Sequence, residues 1–285
     1  QLYRNKASVN FGLTKPMAQT ELPYSKASLI LPERVSKVET ESRLLPVQDN
    51  VWEIAGGWEL AKADDVIKCL GDIFSLDYGT GSWYDATVPG TVLTTLVQQG
   101  VYPDPFFGVN NLAIPDDLCR KEWWYRAEVT LPDEVLARPE LELLFNGINY
   151  RADVWMNGEK LGGISGAFVR GRFDITKVAR KRNVLAVRIF PPSNPGFPHE
   201  QSSVSGRGPN GGQLCLDGPT FISSEGWDWV PGVRDRNIGI WQDVRLIASE
   251  GVTIGDTQVI TDLPLPDTSF ADIKVETSVK NTKSE

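Results

Sequence analysis

The nine residues from Trp123 to Leu131 constrain this chain more than any other stretch. Trp123, Tyr125, Ala127, Val129 and Leu131 alternate with Trp124, Arg126, Glu128 and Thr130. Successive side chains on a strand point to opposite faces, so this period of two predicts a β-strand with one apolar face. The signature recurs along the chain. LELLF at 141–145 follows, and in 151–156 Ala152, Val154 and Met156 point one way while Arg151, Asp153 and Trp155 point the other. Leu185, Val187 and Ile189 share a face within 183–190, as do Val244 and Leu246 within 241–247. Val51–Ile54 and Trp58–Leu60 read as a strand and its continuation across Gly56-Gly57. Asn157-Gly158 predicts a tight hairpin turn, because both residues tolerate positive φ. One short helix is predicted within 85–100: Val92, Leu93, Leu96 and Val97 share a face, and Gly100 stands where a C′ glycine belongs. Short strands at these spacings, with almost no helix, argue for an all-β fold, a sandwich of jelly-roll type.

The flanks differ. Residues 1–48 are polar with scattered prolines and read as an extended N-terminal arm able to add an edge strand. Residues 191–220 are rich in Gly, Pro, Ser and Asn, and a loop of that length in a compact domain is functional or disordered. GVTIGDTQVITDL and TSFADIKVETSVKN, within 251–285, alternate as the first two strands of another sandwich would. Two strands cannot bury a core alone, so the chain is expected to stop partway into a second domain.

Charge and composition exclude several functions. A net charge of −8, with no run of Lys or Arg beyond Arg180-Lys181-Arg182, makes nucleic acid a poor partner. No apolar stretch approaches the length of a membrane span. The three cysteines, Cys69, Cys119 and Cys215, are widely spaced, and their odd number argues against a disulfide scaffold while leaving one bridge open. The single histidine, His199, removes most zinc and Ser-His-Asp readings, and no calcium loop is present, so neither metal nor cofactor is expected. The start at Gln1, with no leader pattern, fits a mature periplasmic or secreted protein and a trimmed chain equally well.

WYDATVPGTV, DPFFGVNN, EWWYRAEVTLP, LLFNGINYRADVWMNGEKLG, GAFVRGRFDIT and RNVLAVRIFPP follow one another in order, and EGWDWVPGVRDRNIGIWQDVRL comes later. Together they resemble the N-terminal sugar-binding domain of glycoside hydrolase family two, and the W-D-W form resembles its β-mannosidase, endo-β-mannosidase and exo-β-glucosaminidase branch. The resemblance implies a galactose-binding-like jelly roll over 49–250 and the start of an immunoglobulin-like sandwich over 251–285. It also implies a (β/α)₈ barrel carrying two glutamates, for which this chain has no room. The expected partners are therefore the barrel and immunoglobulin-like domains and, through the whole enzyme, a β-linked oligosaccharide or glycan. No residue here is expected to be catalytic, since nothing supplies the carboxyl pair of a retaining glycosidase.

Sugar contacts are another matter. In Trp227-Asp228-Trp229 a carboxylate between two indoles can accept two hydroxyls while a ring covers an apolar sugar face; the resemblance implies that this aspartate reaches toward the barrel's active site. Against this, both Trp could be core and Asp228 could cap a turn before Pro231; Trp227 is read as packed. Asn110 and Asn111 carry amides suited to hydroxyls, and the β-galactosidase branch implies a sugar-contacting loop asparagine from this domain, but turn formation is the default for Asn. Arg234-Asp235-Arg236-Asn237 reads either as paired hydrogen bonding to sugar hydroxyls, with Arg236 as a candidate, or as a structural ion-pair network. Three functions compete: an accessory domain of a hydrolase, a free-standing carbohydrate-binding module, or a structural and interaction sandwich. A row of coplanar exposed aromatics would favour the second, and burial of Asp228 and Trp229 the third.

Overall fold

The computed structural model describes residues 32–38, 41–66, 73–108, 110–198, 213–215, 224–225 and 232–281. Strands are numbered in chain order. One antiparallel sheet runs β1 (Arg43–Gln48), β2 (Val51–Ala55), β14 (Val244–Ser249), β6 (Glu140–Phe145), β9 (Gly171–Asp174). The other runs β4 (Tyr84–Asp85), β3 (Trp58–Lys62), β5 (Trp123–Thr130), β10 (Arg182–Phe190), β7 (Arg151–Met156), β8 (Glu159–Ser165). Their inward sets meet in one core that includes Ile54, Leu60, Trp123, Tyr125, Phe145, Val154, Val187 and Leu246. The fold is the mostly-β sandwich that the alternation predicts. The expected arm supplies edge strand β1, whose Pro46 withholds a donor from any further strand.

Two features depart from the sequence reading. First, 51–60 does not stay in one sheet. Gly56 and Gly57, at φ 67° and 62°, turn the chain from β2 in the first sheet to β3 in the second. A Cβ on Gly57 would lie 2.3 Å from the Ser42 backbone nitrogen, so this corner also needs a residue without a side chain. Second, β5 is covered on both faces. Trp124 is 1% exposed and packs in a satellite cluster with Ala61, Val66, Ile73, Trp83 and Ala186. Arg126 is equally buried; it donates to the carbonyls of Ile73 (3.0 Å) and Ser75 (2.8 Å) and pairs with Glu59 and Glu128. Chain from between β3 and β4 lies over that face, so residues expected to meet water meet protein.

The local signals hold. Asn157 and Gly158, at φ 53° and 86°, turn β7 into β8. The helix spans Val92–Gln98, with Thr91 Oγ1 accepting from the Thr94 amide at its start. At its end the amides of Gly100 and Val101 donate to the carbonyls of Val97 and Leu96, the paired bonds of a Schellman cap.

Beyond β14, β15 (Val252–Ile254) pairs with β18 (Val279–Asn281) and β16 (Gln258–Asp262) with β17 (Asp272–Glu276). The two alternating stretches of the sequence therefore pair with each other, each broken into two short strands. β11 (Gly196–Phe197), β12 (Gln213–Leu214) and β13 (Ser224–Glu225) form a small third sheet. No described helix is long and apolar enough to cross a membrane.

Candidate functional site

Register decides which loops share an end of the sandwich. β10 ends opposite the start of β7, and β7 starts opposite the end of β8. In the other sheet β6 ends opposite the starts of β14 and β9. The connections 146–150 and 166–170 are short, so these strand ends lie together. The short helix Asn110–Ala113, which replaces the loop expected there, the start of the long loop after β10, and the segment 232–243 open at this end.

Segment 232–240 is held from several directions. The Asn111 side-chain amide donates to the Gly232 carbonyl at 3.0 Å. Asp235, fully buried, accepts from the amides of Leu93 (2.7 Å) and Asn237 (2.9 Å), which joins the segment to the first turn of the helix. Burial raises its carboxyl pKa above the ordinary value, against the lowering effect of these amides and Thr91. Asn149 and Gly239 exchange backbone hydrogen bonds, and the Asn149 side chain donates to the carbonyls of Arg236 and Asn237.

Arg236 is the centre of this frame. Its guanidinium has no exposure and donates to the carbonyls of Pro195 (2.7 Å), Val233 (2.8 Å), Arg234 (3.3 Å) and Gly196 (3.4 Å) and to Asp116 Oδ1 (2.7 Å). One side chain thus ties the long loop and the 3₁₀ turn Asp116–Arg120 to the segment. A planar cation with five donors suits such a role, because each buried carbonyl needs a partner. Gly239, at φ 145°, fits beneath: a Cβ there would lie 2.8 Å from the Tyr125 hydroxyl.

Of the residues expected to touch sugar, the structure brings Asn111 and Arg236 onto one segment. Asn110, like Asn111, is buried and donates to the Asp104 carbonyl at 2.9 Å. All three spend donors on the protein itself. Asp228 and Trp229, with Trp227, lie outside the described residues, in the stretch that runs directly into Gly232. His199 and Cys69 lie outside them as well. Sequence reasoning missed Asp116, Asn149 and the carbonyl of Pro195, whose roles rest on contacts between remote positions. Among the described residues no three His, Cys, Asp or Glu side chains gather closely enough to hold a metal ion.

Among the described residues, Phe74, Trp124 and Trp155 cluster but do not form a flat platform. Phe74, Trp124 and Trp155 lie 5.2–6.3 Å apart, but their planes are inclined by 38–76° and Trp124 is buried. Cys119, which donates to the Asp116 carbonyl, has its thiol pKa pushed up to about 11 by burial, despite Arg236 nearby. Since the thiolate is the reactive form, a thiol reagent at pH 8 is expected to spare Cys119 in the native chain and modify it after denaturation. Mass spectrometry of the labelled peptide checks this; fast native labelling would mean the frame opens.

Residues 58–242 match the glycosyl hydrolase 2 galactose-binding domain-like family. This chain belongs to that family. It is 37% identical over 185 residues to a mannosylglycoprotein endo-β-mannosidase of Lilium longiflorum, covering 63% of this chain and 19% of that protein. It is 30% identical over 230 residues to an exo-β-D-glucosaminidase of Streptomyces avermitilis, covering 79% and 22%. Among solved structures, a β-D-mannosidase of Dictyoglomus thermophilum superposes with a TM-score of 0.57 at 25% identity, over 81% of this chain and 26% of that one. The family domain therefore spans about a fifth of the length of these curated relatives. Its mapped extent, from β3 to the lead-in of β14, includes the whole of the 232–240 frame.

Proposed function

We propose that this family domain is the non-catalytic front end of a retaining β-glycosidase, and that its loop end forms one wall of the substrate pocket of a separate catalytic barrel. The observation that carries this reading is the frame around 232–240. A fully buried arginine and a fully buried aspartate fix a loop segment immediately after Trp227-Asp228-Trp229. Burying such groups is costly unless their partners are all in place, so a rigid loop has been built where the motif emerges. Asp228 is the proposed acceptor for sugar hydroxyls, with Trp229 covering an apolar sugar face. Asn111 and Arg236 hold the segment that follows the motif, and Asn110, held by the Asp104 carbonyl, neighbours Asn111 in the sequence. Relatives named as an endo-β-mannosidase and an exo-β-D-glucosaminidase support a β-linked hexoside as the proposed substrate. Among the described residues, the inclined rings of Phe74, Trp124 and Trp155 offer a free-standing carbohydrate-binding module no flat platform.

The test uses the glycosidase that carries this domain. Asp228→Ala is expected to lower kcat/KM on a chromogenic β-mannoside or β-glucosaminide by about 10–100-fold, as loss of charged hydrogen bonds to substrate should. The 285-residue chain alone is expected to give no turnover. Turnover by the chain alone, or an unchanged kcat/KM in the variant, would overturn the reading.

A further inference from the structure

The ribbon made by the pairs β15–β18 and β16–β17 follows the sandwich across a link of two residues, Glu250 and Gly251. Gly251 stands at φ 118°, which glycine adopts without strain, and its amide donates to Ser249 Oγ at 3.0 Å. The apolar core of the sandwich stops at Ala248: among the described residues no side chain beyond it joins a hydrophobic cluster. Charge supplies the contacts instead. Asp256 pairs with Arg170 (2.6 Å) and Arg172 (3.4 Å), and Lys280 pairs with Glu140. The charges of Asp174 and Glu142, register partners on β9 and β6, act on Lys280 as well. Each of the two ribbon charges thus faces a sandwich cluster of opposite sign, a pattern that sets orientation. Asp256 and Lys280 are both 67% exposed at their side chains.

We infer that this joint is an electrostatic hinge: the ribbon is held to β6 and β9 at low ionic strength and swings free about Gly251 as salt rises. Exposed ion pairs are weak and salt-screened. The screening length falls from about 30 Å at 0.01 M salt to about 3 Å at 1 M, the separation of the paired atoms themselves. No apolar contact takes over when the charges are screened. A joint held by apolar burial would respond in the opposite sense, because sulfate strengthens such burial. The hinge borders the loop end. Arg170 closes the connection 166–170, whose Ala167 carbonyl accepts the Trp241 indole N–H at 2.9 Å.

The experiment is ¹⁵N relaxation of the 285-residue chain as sodium sulfate raises the ionic strength from about 0.01 M to about 1 M. At low salt the amides of 252–281 are expected to tumble with those of β5 and β10. At high salt they are expected to lose that common tumbling and keep strand-like shifts, while the sandwich amides are unchanged. Asp256→Arg and Lys280→Glu each set a like charge against its sandwich cluster at an exposed position. Each is expected to release the ribbon at lower salt than the parent chain, and the two together to release it at about 0.01 M. The salt series on the parent chain needs no variant, so poor folding of the double variant leaves the test standing. Common tumbling at every sulfate concentration would overturn the inference and mean that the ribbon is held by apolar or backbone contacts. Tighter coupling in sulfate, or random-coil shifts for 252–281 already at low salt, would overturn it as well.

Discussion

Arg236→Ala is expected to destabilise the chain by about 3–5 kcal/mol, the range for removing one partner of a buried ion pair. The loss comes from what stays behind. Asp116, with a side chain 9% exposed, loses its closest cation, and the carbonyls of Pro195 and Val233 lose donors at 2.7 and 2.8 Å. Arg120, 3.3 Å from Asp116 and one-third exposed, replaces little of this. Denaturant unfolding at pH 7 measures the effect. Arg236→Lys should recover only part of it, because an ammonium cannot reach acceptors arranged around a planar fork. A loss below about 1 kcal/mol would mean that the 232–240 segment is held by its backbone contacts alone.

Gly57→Ala is expected to cost about 2–4 kcal/mol, combining the left-handed penalty for a residue with Cβ and displacement of the Ser42 backbone. Gly56→Ala is the internal control. Gly56 has nearly the same φ, 67° against 62°, but a Cβ there would meet nothing within 4 Å. It should cost only about 1 kcal/mol. The difference between the two variants, read from the same unfolding curves, isolates the close approach of the chain leading into β1. Equal losses would show that conformation alone matters at this corner.

The exposed apolar residues after β14 belong to the same physical picture. Val252, Ile254, Val259, Ile273 and Val275 are each at least 60% exposed, as expected of two paired stretches that no other sheet faces among the described residues. Ion pairs anchor them to the sandwich at its edge: Asp256 with Arg170 (2.6 Å) and Arg172 (3.4 Å), and Lys280 with Glu140. These pairs are exposed for the most part and contribute little stability in water.

Period-two alternation, the Asn157-Gly158 turn and the caps of helix Val92–Gln98 were legible in the sequence because each depends on residues a few positions apart. So was family membership, which rests on several motifs in order. The Trp227-Asp228-Trp229 motif was legible as a chemical proposal, and the bond from Asn111 to Gly232 was not. Tertiary structure decided what alternation cannot encode. Trp124 and Arg126 occupy the face of β5 predicted to be polar, and residues from 63–66 and 73–83 bury it. Gly56-Gly57 looked like a pause within one strand and is the passage between two sheets. Arg236 offered either a sugar contact or an ion-pair network; Asp116, Pro195 and Gly196, 120, 41 and 40 positions away, take up its donors. Pleat and turn geometry are local properties of the backbone, whereas burial and hydrogen-bond partners depend on which distant segments arrive at the same place.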